Sequence, residues 1–464
     1  MAARFVNIDR ETPLLLPPDM REWVGEGHLV HFILDAVGEL DLRAAKVNAR
    51  GCGSKQYPPR MLLGLLIYSY VTGVFSSRQI ERMTYDSVPV RVLCGDTHPD
   101  HDTLCTFRRA NGELLTRSFA QVLEMAARCQ VLKVGNVTVA IDGTKVLANA
   151  SKHSAVSYAK AGEQMKELDL EIAELIQKAE DADSTPLEEG LSIPEEIQRR
   201  QERKARLAKA RAEMEARAFA RAQAGKAEHE AKVAQREAAR QAGKKPRGKD
   251  PEPPSETPTP KDQYNFTDPE SRIMKAGSGQ HFEQSYNAQA AVEVESRLIV
   301  GERVSQAPND KQELAPTFAA IAPAAGPVAE ALIDSGFVSE KAVRAIEQDA
   351  QGRPTGTTVL AAVDREGHGR SVQDLEKREE PPAPATDAPF LERMRHRVKT
   401  RAGRARYKLR QQTVEPVFGI IKQALGFRRF SLRGLTKVSL EWTLVCMSYN
   451  LKRLFHLGAQ LKAA

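Results

Sequence analysis

The chain reads as an α/β protein with three parts: a helical N-terminal domain, a mixed-sheet domain, and an antiparallel coiled-coil arm inserted into that domain. Three observations predict this. Short β-branched, apolar runs alternate with helical patterns after residue 131, and two of them end in Asp followed closely by Gly. The first 130 residues carry helix punctuation and no strand pattern. Between them lies a stretch rich in Ala, Arg, Lys and Glu that closes in a proline cluster.

Pro58-Pro59 opens an apolar run, Met61 to Val71, that stops at Gly73, which is helix punctuation. Ser76 to Arg82 reads as a second, capped helix, so the pair forms either a helix-turn-helix or ordinary helical packing. Pro99-Asp100-His101-Asp102-Thr103 caps another helix, Leu104 to Cys129, and its acids and histidines read as a polar turn rather than a metal cluster.

Asn136 to Ala140 is a strand by composition and leads to Asp142-Gly143-Thr144-Lys145. A carboxylate at the end of a buried strand is costly unless it is paired or binds metal; an Asp-Gly turn is the alternative. Later come a hairpin (Ser285 to Val294, Arg297 to Ser305), a helix Lys311 to Ile321 capped by Asn309-Asp310, and a strand Val328 to Ile333 ending in Asp334-Ser335-Gly336. A capped helix, Ser339 to Gln348, and a strand, Thr357 to Val363 ending at Asp364, follow.

Residues 155–262 form the arm. Met165, Leu168, Ile172 and Leu175 recur at coiled-coil spacing. A break follows, and Ser192 with Glu195 makes a capping box for a long second helix to about Gln241. Residues 243–260 are proline-rich and read as a disordered linker. From Glu195 to Asp250 there are 17 Lys and Arg against 9 Asp and Glu. The whole chain is +7, so that segment, at +8, leaves −1 for the rest. Such a segment suits either a polyanionic partner or a solvated helix.

With 464 residues the chain supports two or three domains. It contains no apolar run of membrane-spanning length and no signal-like start, so a cytoplasmic protein is expected. The cysteines Cys52, Cys94, Cys105, Cys129 and Cys446 form no Cys-x-x-Cys pair and read as small buried hydrophobes, not zinc or disulfide positions. No phosphate-cradling Gly-x-x-x-x-Gly-Lys loop and no nucleophile setting is present.

The stretch Thr413 to Gly434 sets one acid, Glu415, before Lys422, Arg428, Arg429 and Arg433, with Lys437 just beyond. Val417, Phe418, Ile420, Ile421 and Leu425 give it an apolar face, and Glu415 and Lys422 lie two helical turns apart on one side. Pro416 marks a helix start or kink at Glu415. A carboxylate facing a cationic strip fits a metal-assisted phosphodiester site; an amphipathic helix with a solvated basic face fits the stretch alone equally well. Carboxylates from two strand ends and one helix can hold two hard cations, Mg²⁺ or Mn²⁺.

Several short motifs, in order, resemble those of bacterial insertion-sequence transposases of the DDE class with an RNase H-like catalytic core. In the N-terminal part these are Pro58 to Leu62, Ser76-Ser77-Arg78, and Pro99-Asp100-His101 with Thr103, Phe107 and Arg108. Asp142 to Lys145, Asn149 to Lys152, Tyr286 to Gln289, Pro308 to Lys311 and Asp334 with Gly336-Phe337 follow. Val414 to Gly419 with Lys422, and Gly426 to Phe430, complete the set. The resemblance implies that Asp142, Asp334 and Glu415 are catalytic and ligate two Mg²⁺ or Mn²⁺ ions. Gly336 would let backbone approach the substrate, and Asp364 is the rival second carboxylate. It further implies a DNA-binding domain at 1–130, an RNase H-like catalytic domain at 131–154 and 263–464, and the arm with its linker at 155–262. Lys145, Tyr407, Arg410, Lys422, Arg428, Arg429 and Arg433 would contact DNA. The family pattern around the third acid is Tyr, two residues, Arg, three residues, Glu, six residues, Lys. Here four residues separate Arg410 from Glu415, a rotation of about 100° on a continuous helix. The implied activity is cleavage at terminal inverted repeats and transfer of 3′-hydroxyl ends into target DNA, by a homodimer on double-stranded DNA in the cytoplasm. A nuclease without strand transfer, or a non-catalytic DNA-binding remnant, is the alternative.

Overall fold

The computed structural model describes residues 19–47, 56–133, 135–181, 192–243, 246, 248–276, 281–363, 380–385 and 387–461. Asp364 and Cys52 lie outside them. The chain forms two compact units, 1–147 with 286–464, and 148–285.

The larger unit is mixed α/β, with a helical N-terminal region and a mixed sheet. Its N-terminal helices are α1 (Leu29–Glu39), α2 (Pro59–Val71), α3 (Ser77–Asp86), α4 (Val88–Cys94), α5 (His101–Ala110) and α6 (Gly112–Arg128). Asp100 caps α5, its Oδ1 accepting from Thr103 N at 2.6 Å. The single helix expected from Leu104 to Cys129 is two, divided at Asn111, whose side chain bonds Phe107 O (3.0 Å) and Lys46 N (2.6 Å). Ser76 stands at the start of α3 without a side-chain cap bond.

The sheet comprises β1 (Val137–Leu147), β5 (His281–Glu293), β6 (Ile299–Ser305), β7 (Val328–Ile333) and β8 (Thr358–Ala361), in the order β6-β5-β1-β7-β8 within this unit. β7 is parallel to both β1 and β8, and β5 is antiparallel to β6. Residues 284–292 of β5 are buried without interruption, as expected of a strand covered on both faces. β1 is longer than expected: it continues through Asp142-Gly143, so the Asp-Gly turn does not form.

α9 (Leu314–Ala319) and α10 (Glu340–Glu347) are short. Ser339 caps α10, but Asp310 does not cap α9, which starts later than the sequence predicts. The C-terminal part is α11 (Phe390–Lys399), α12 (Arg401–Gly419), a π-turn at Ile420–Ala424, and α13 (Leu435–His456). α13 packs on α1, α2, α6 and β6, so the N-terminal helices and the sheet share one core around Trp442, Tyr70, Tyr286, Phe427 and Phe430.

The smaller unit is a helix pair with short strands. α7 (Tyr158–Asp181) and α8 (Ile193–Gln241) run in opposite directions, since Tyr158 meets Glu215 while Glu171 meets Arg200. Ala161 and Leu168 pack against Leu207, Ala210 and Met214. Ile172 and Leu175 are half-buried. Ser192 begins α8 but makes no side-chain cap bond. The proline-rich stretch is not a loose linker where it is described. It returns along α8, with Asp250 on Arg240 (2.7 Å), Glu256 on Lys226 (3.1 Å) and Pro254 against Gly225. β2 (Ala155–Ser157) pairs with β3 (Gln263–Asn265), and β4 (Arg272–Ala276) pairs with the first residues of β5.

Of the cysteines in the described residues, Cys94 and Cys446 are buried; Cys105 and Cys129 are only half-buried. No helix among the described residues is long and apolar enough to cross a membrane.

Candidate active site

Parallel register brings the first two acids together. Ile141 of β1 pairs with Ile333 of β7, so Asp142, within β1, and Asp334, just past the end of β7, stand side by side. The third acid arrives on α12. That helix folds back closely on α11: a Cβ at Gly403 would lie 1.7 Å from Arg397 O, and Thr400 Oγ1 caps the helix by accepting from Gly403 N at 3.0 Å. Pro416 neither starts nor stops α12, which runs on to Gly419, although the ring removes one backbone hydrogen bond and crowds the carbonyl one turn earlier.

Arg410 stands among the three carboxylates. Its Nη2 is 2.7 Å from Asp142 Oδ2 and 3.8 Å from Asp334 Oδ1, and its Nη1 is 3.8 Å from Glu415 Oε1. The extra residue between Arg410 and Glu415 therefore does not turn Arg410 away, because the long side chain absorbs the rotation. Arg410 is 9% exposed, whereas Asp334 and Glu415 are 46% and 57% exposed. A single guanidinium faces three acids, so the cluster is under-neutralised. Burial pushes the Asp142 carboxyl up to about 6, against the opposing pull of Arg410 and of the Gly143 N–H that it accepts at 2.8 Å; Asp334 and Asp310 add to the rise. Tyr407 donates its hydroxyl to Ile333 O (3.2 Å), just before Asp334.

The cations are placed unevenly. The π-turn after α12, closed by Leu425 N to Ile420 O, directs Lys422 at the sheet, where Nζ donates to Lys145 O at 2.9 Å. Burial lowers the pKa of both Lys145 and Lys422. The following segment lies beside the end of β1, with Leu147 N bonded to Arg428 O and Phe430 N to Leu147 O. Phe427 and Phe430 are buried there, while Arg428, Arg429 and Arg433 are exposed. The expected apolar face holds at Val417, Phe418, Ile421 and Leu425; Ile420 is 38% exposed. Gly336 has no positive φ, and a Cβ there would meet only Asp334 Oδ2 at 3.7 Å, so the chain itself does not require glycine.

Three carboxylates are a donor set suited to a hard divalent cation. Among the described residues, no group of three or more His, Cys, Asp or Glu is already arranged to hold a metal ion; the acids converge on Arg410 instead.

Two family models match the chain. One, described as Transposase DDE domain, matches residues 384–455; the other, described as Transposase domain (DUF772), matches residues 18–110. These matches support an insertion-sequence DDE transposase. No curated protein and no solved structure matches it. The DDE-domain match includes Tyr407, Arg410, Glu415, Lys422, Arg428, Arg429 and Arg433, whereas Asp142 and Asp334 lie outside it. The match over 18–110 is to a transposase domain as well, so transposition and DNA recombination are indicated from both ends of the chain.

Sequence reasoning missed a polar cluster beside this site. Asn287 and Gln289 are fully buried amides on β5, and both donate to Asp310 Oδ1, at 2.7 and 2.8 Å. The available signal was two amides, two residues apart and so on one face of the strand, within the motif Tyr286 to Gln289 that the sequence singles out.

Proposed function

We propose that this transposase cuts DNA at the terminal inverted repeats of its element and joins the 3′-hydroxyl ends to target DNA. The observation that carries the reading is the convergence of Asp142, Asp334 and Glu415 on Arg410. The order β6-β5-β1-β7-β8, with the first two acids at adjacent strands, supports an RNase H-like core. Asp142, Asp334 and Glu415 would hold Mg²⁺ or Mn²⁺. When bound, two such ions supply an activated water or 3′-hydroxyl and stabilise the leaving oxygen.

The chain's own groups do the rest. Arg410 screens the acids from one another and offers a buried cation to a phosphate. Tyr407 fixes the strand end from which Asp334 emerges. Arg428, Arg429 and Arg433 provide exposed positive charge for the DNA backbone, while Lys145 and Lys422, turned toward Asp310 and β1, add positive charge from beneath the site. Two element ends require two such sites, so the acting species is a homodimer on double-stranded DNA.

Asp142→Asn, Asp334→Asn and Glu415→Gln should each abolish Mg²⁺-dependent cleavage of a donor-end duplex and leave end binding intact. Full cleavage by any one of the three would refute the assignment. Product analysis of the same reaction separates strand transfer from hydrolysis alone.

A further inference from the structure

Asp310 looks like a helix cap in the sequence and is used otherwise. Its Oδ1 accepts from Asn287 Nδ2 and Gln289 Nε2, and the Lys145 ammonium lies 3.5 Å from the same oxygen. The opposing strand is built to receive this cluster. Thr138 O of β1 accepts from Val294 N, just past β5, and Ala148 N, just past β1, donates to Gln284 O of β5, so the strands are antiparallel and Gly143 falls opposite Gln289. A Cβ at Gly143 would lie 2.3 Å from Gln289 Nε2 and 2.7 Å from Asp310 Oδ1. The bare glycine lets the amides and the carboxylate close over β1 one residue past Asp142. The same Gly143 donates its N–H to Asp142 Oδ1.

The remaining contacts make this a held position. Asn287 also donates to Ala307 O (3.2 Å), and Trp442 Nε1 donates to Gln289 O (3.1 Å). Asn287 Oδ1 and Gln289 Oε1 are buried without a hydrogen-bond partner, and Lys145 Nζ, also buried, has the long contact to Asp310. An arrangement that leaves two amide oxygens unsatisfied and a buried ammonium weakly paired costs stability, which is the pattern of a site shaped for activity rather than for folding.

We propose that Asp310 is a positioning residue of the active site. Through Gln289, Asn287 and Gly143 it fixes the segment of β1 that presents Asp142, and it holds Lys145 alongside. This rests on the transposase reading above. Groups just behind metal ligands typically change metal affinity or activity by about 10–100-fold when removed.

The test uses the full-length protein with three readouts: Mn²⁺ binding by calorimetry without DNA, the dissociation constant for a donor-end duplex, and the cleavage rate at saturating duplex. Asp310→Ala should weaken Mn²⁺ binding and slow cleavage by roughly 10–100-fold, with duplex affinity within about twofold of the parent. Asp310→Asn keeps an oxygen for the two amides and should recover most of the rate. Gly143→Ala, which drives the amides away, should reproduce Asp310→Ala. Unchanged Mn²⁺ affinity and rate in Asp310→Ala would overturn the inference, as would Asp310→Asn being no better than Asp310→Ala. So would a parallel fall of rate, duplex affinity and melting temperature in all three variants, which marks a structural role. Asp142→Asn is the control: if it still cuts, the active-site reading itself fails, independently of Asp310.

Discussion

Arg108 of α5 and Lys204 of α8 are both cations associated with a carboxylate, and they are built differently. Arg108 is 5% exposed and donates to the Tyr70 hydroxyl at 2.9 Å; that hydroxyl lies 3.5 Å from Glu441 Oε1. Glu441, itself 2% exposed, accepts from Ser431 N and Leu432 N at 2.9–3.0 Å and so ties the segment after the π-turn to the N-terminal helices. Burial pushes the Glu441 carboxyl up. Lys204, by contrast, pairs with Asp169 on an open helix surface. Most of the arm's pairs are of this second kind: Arg200 with Glu171, Arg221 with Asp262, Arg240 with Asp250. The +8 segment is thus partly matched by its own neighbours, and fewer of its cations remain for a polyanion than the count implies. In the larger unit few charges are buried, and each carries more consequence.

The comparison is most exposed to failure at Arg108. Arg108→Met removes the buried donor to the Tyr70 hydroxyl, which itself lies 3.5 Å from Glu441 Oε1, and should cost about 1–3 kcal/mol, read by thermal or denaturant unfolding. A cost below about 1 kcal/mol would erase the distinction between the two regions.

Glu302 sharpens it through pH. Its Oε1 accepts from Thr443 at 2.6 Å, its Oε2 is buried without a partner, and burial pushes its carboxyl up to about 7 from 4.5. The folded state holds the proton more tightly than the unfolded one. The contribution is therefore fully present below about 4.5 and lost as pH rises through about 7. Glu302→Gln should flatten that dependence and leave the variant up to about 3 kcal/mol more stable relative to the parent at pH 8 than at pH 4. Parallel stability curves for the two proteins would show that the carboxyl is not desolvated.

The smallest effect belongs to the arm. Lys204→Ala should change stability by less than about 1 kcal/mol, and salt should shrink even that. A larger loss would mean that the surface pairs act as a network.

Much of the architecture was legible because it follows from local pattern. The strands at 328–333 and 358–361, the hairpin, α10 with its Ser339 cap, and the long second helix of the arm stand close to where periodicity and capping residues put them. The errors lie where partners distant in sequence decide. β1 runs through Asp142-Gly143 because β5 stays alongside it beyond Ile141, where β7 ends. Asp310 abandons its cap for two amides of β5. Arg410 finds the acids despite the shifted spacing, because a long side chain reaches across a helical turn.

The sequence by itself determined which residues have the chemistry: acids beside strand ends, a basic segment after Glu415, and a glycine wherever backbones had to come close. Only the tertiary structure decided which of them meet. Parallel pairing of Ile141 with Ile333 places two carboxylates together, and the close crossing at Gly403 brings in the third with its arginine. Register and helix crossing are set by burial over the whole core, a sum that no short stretch of sequence contains.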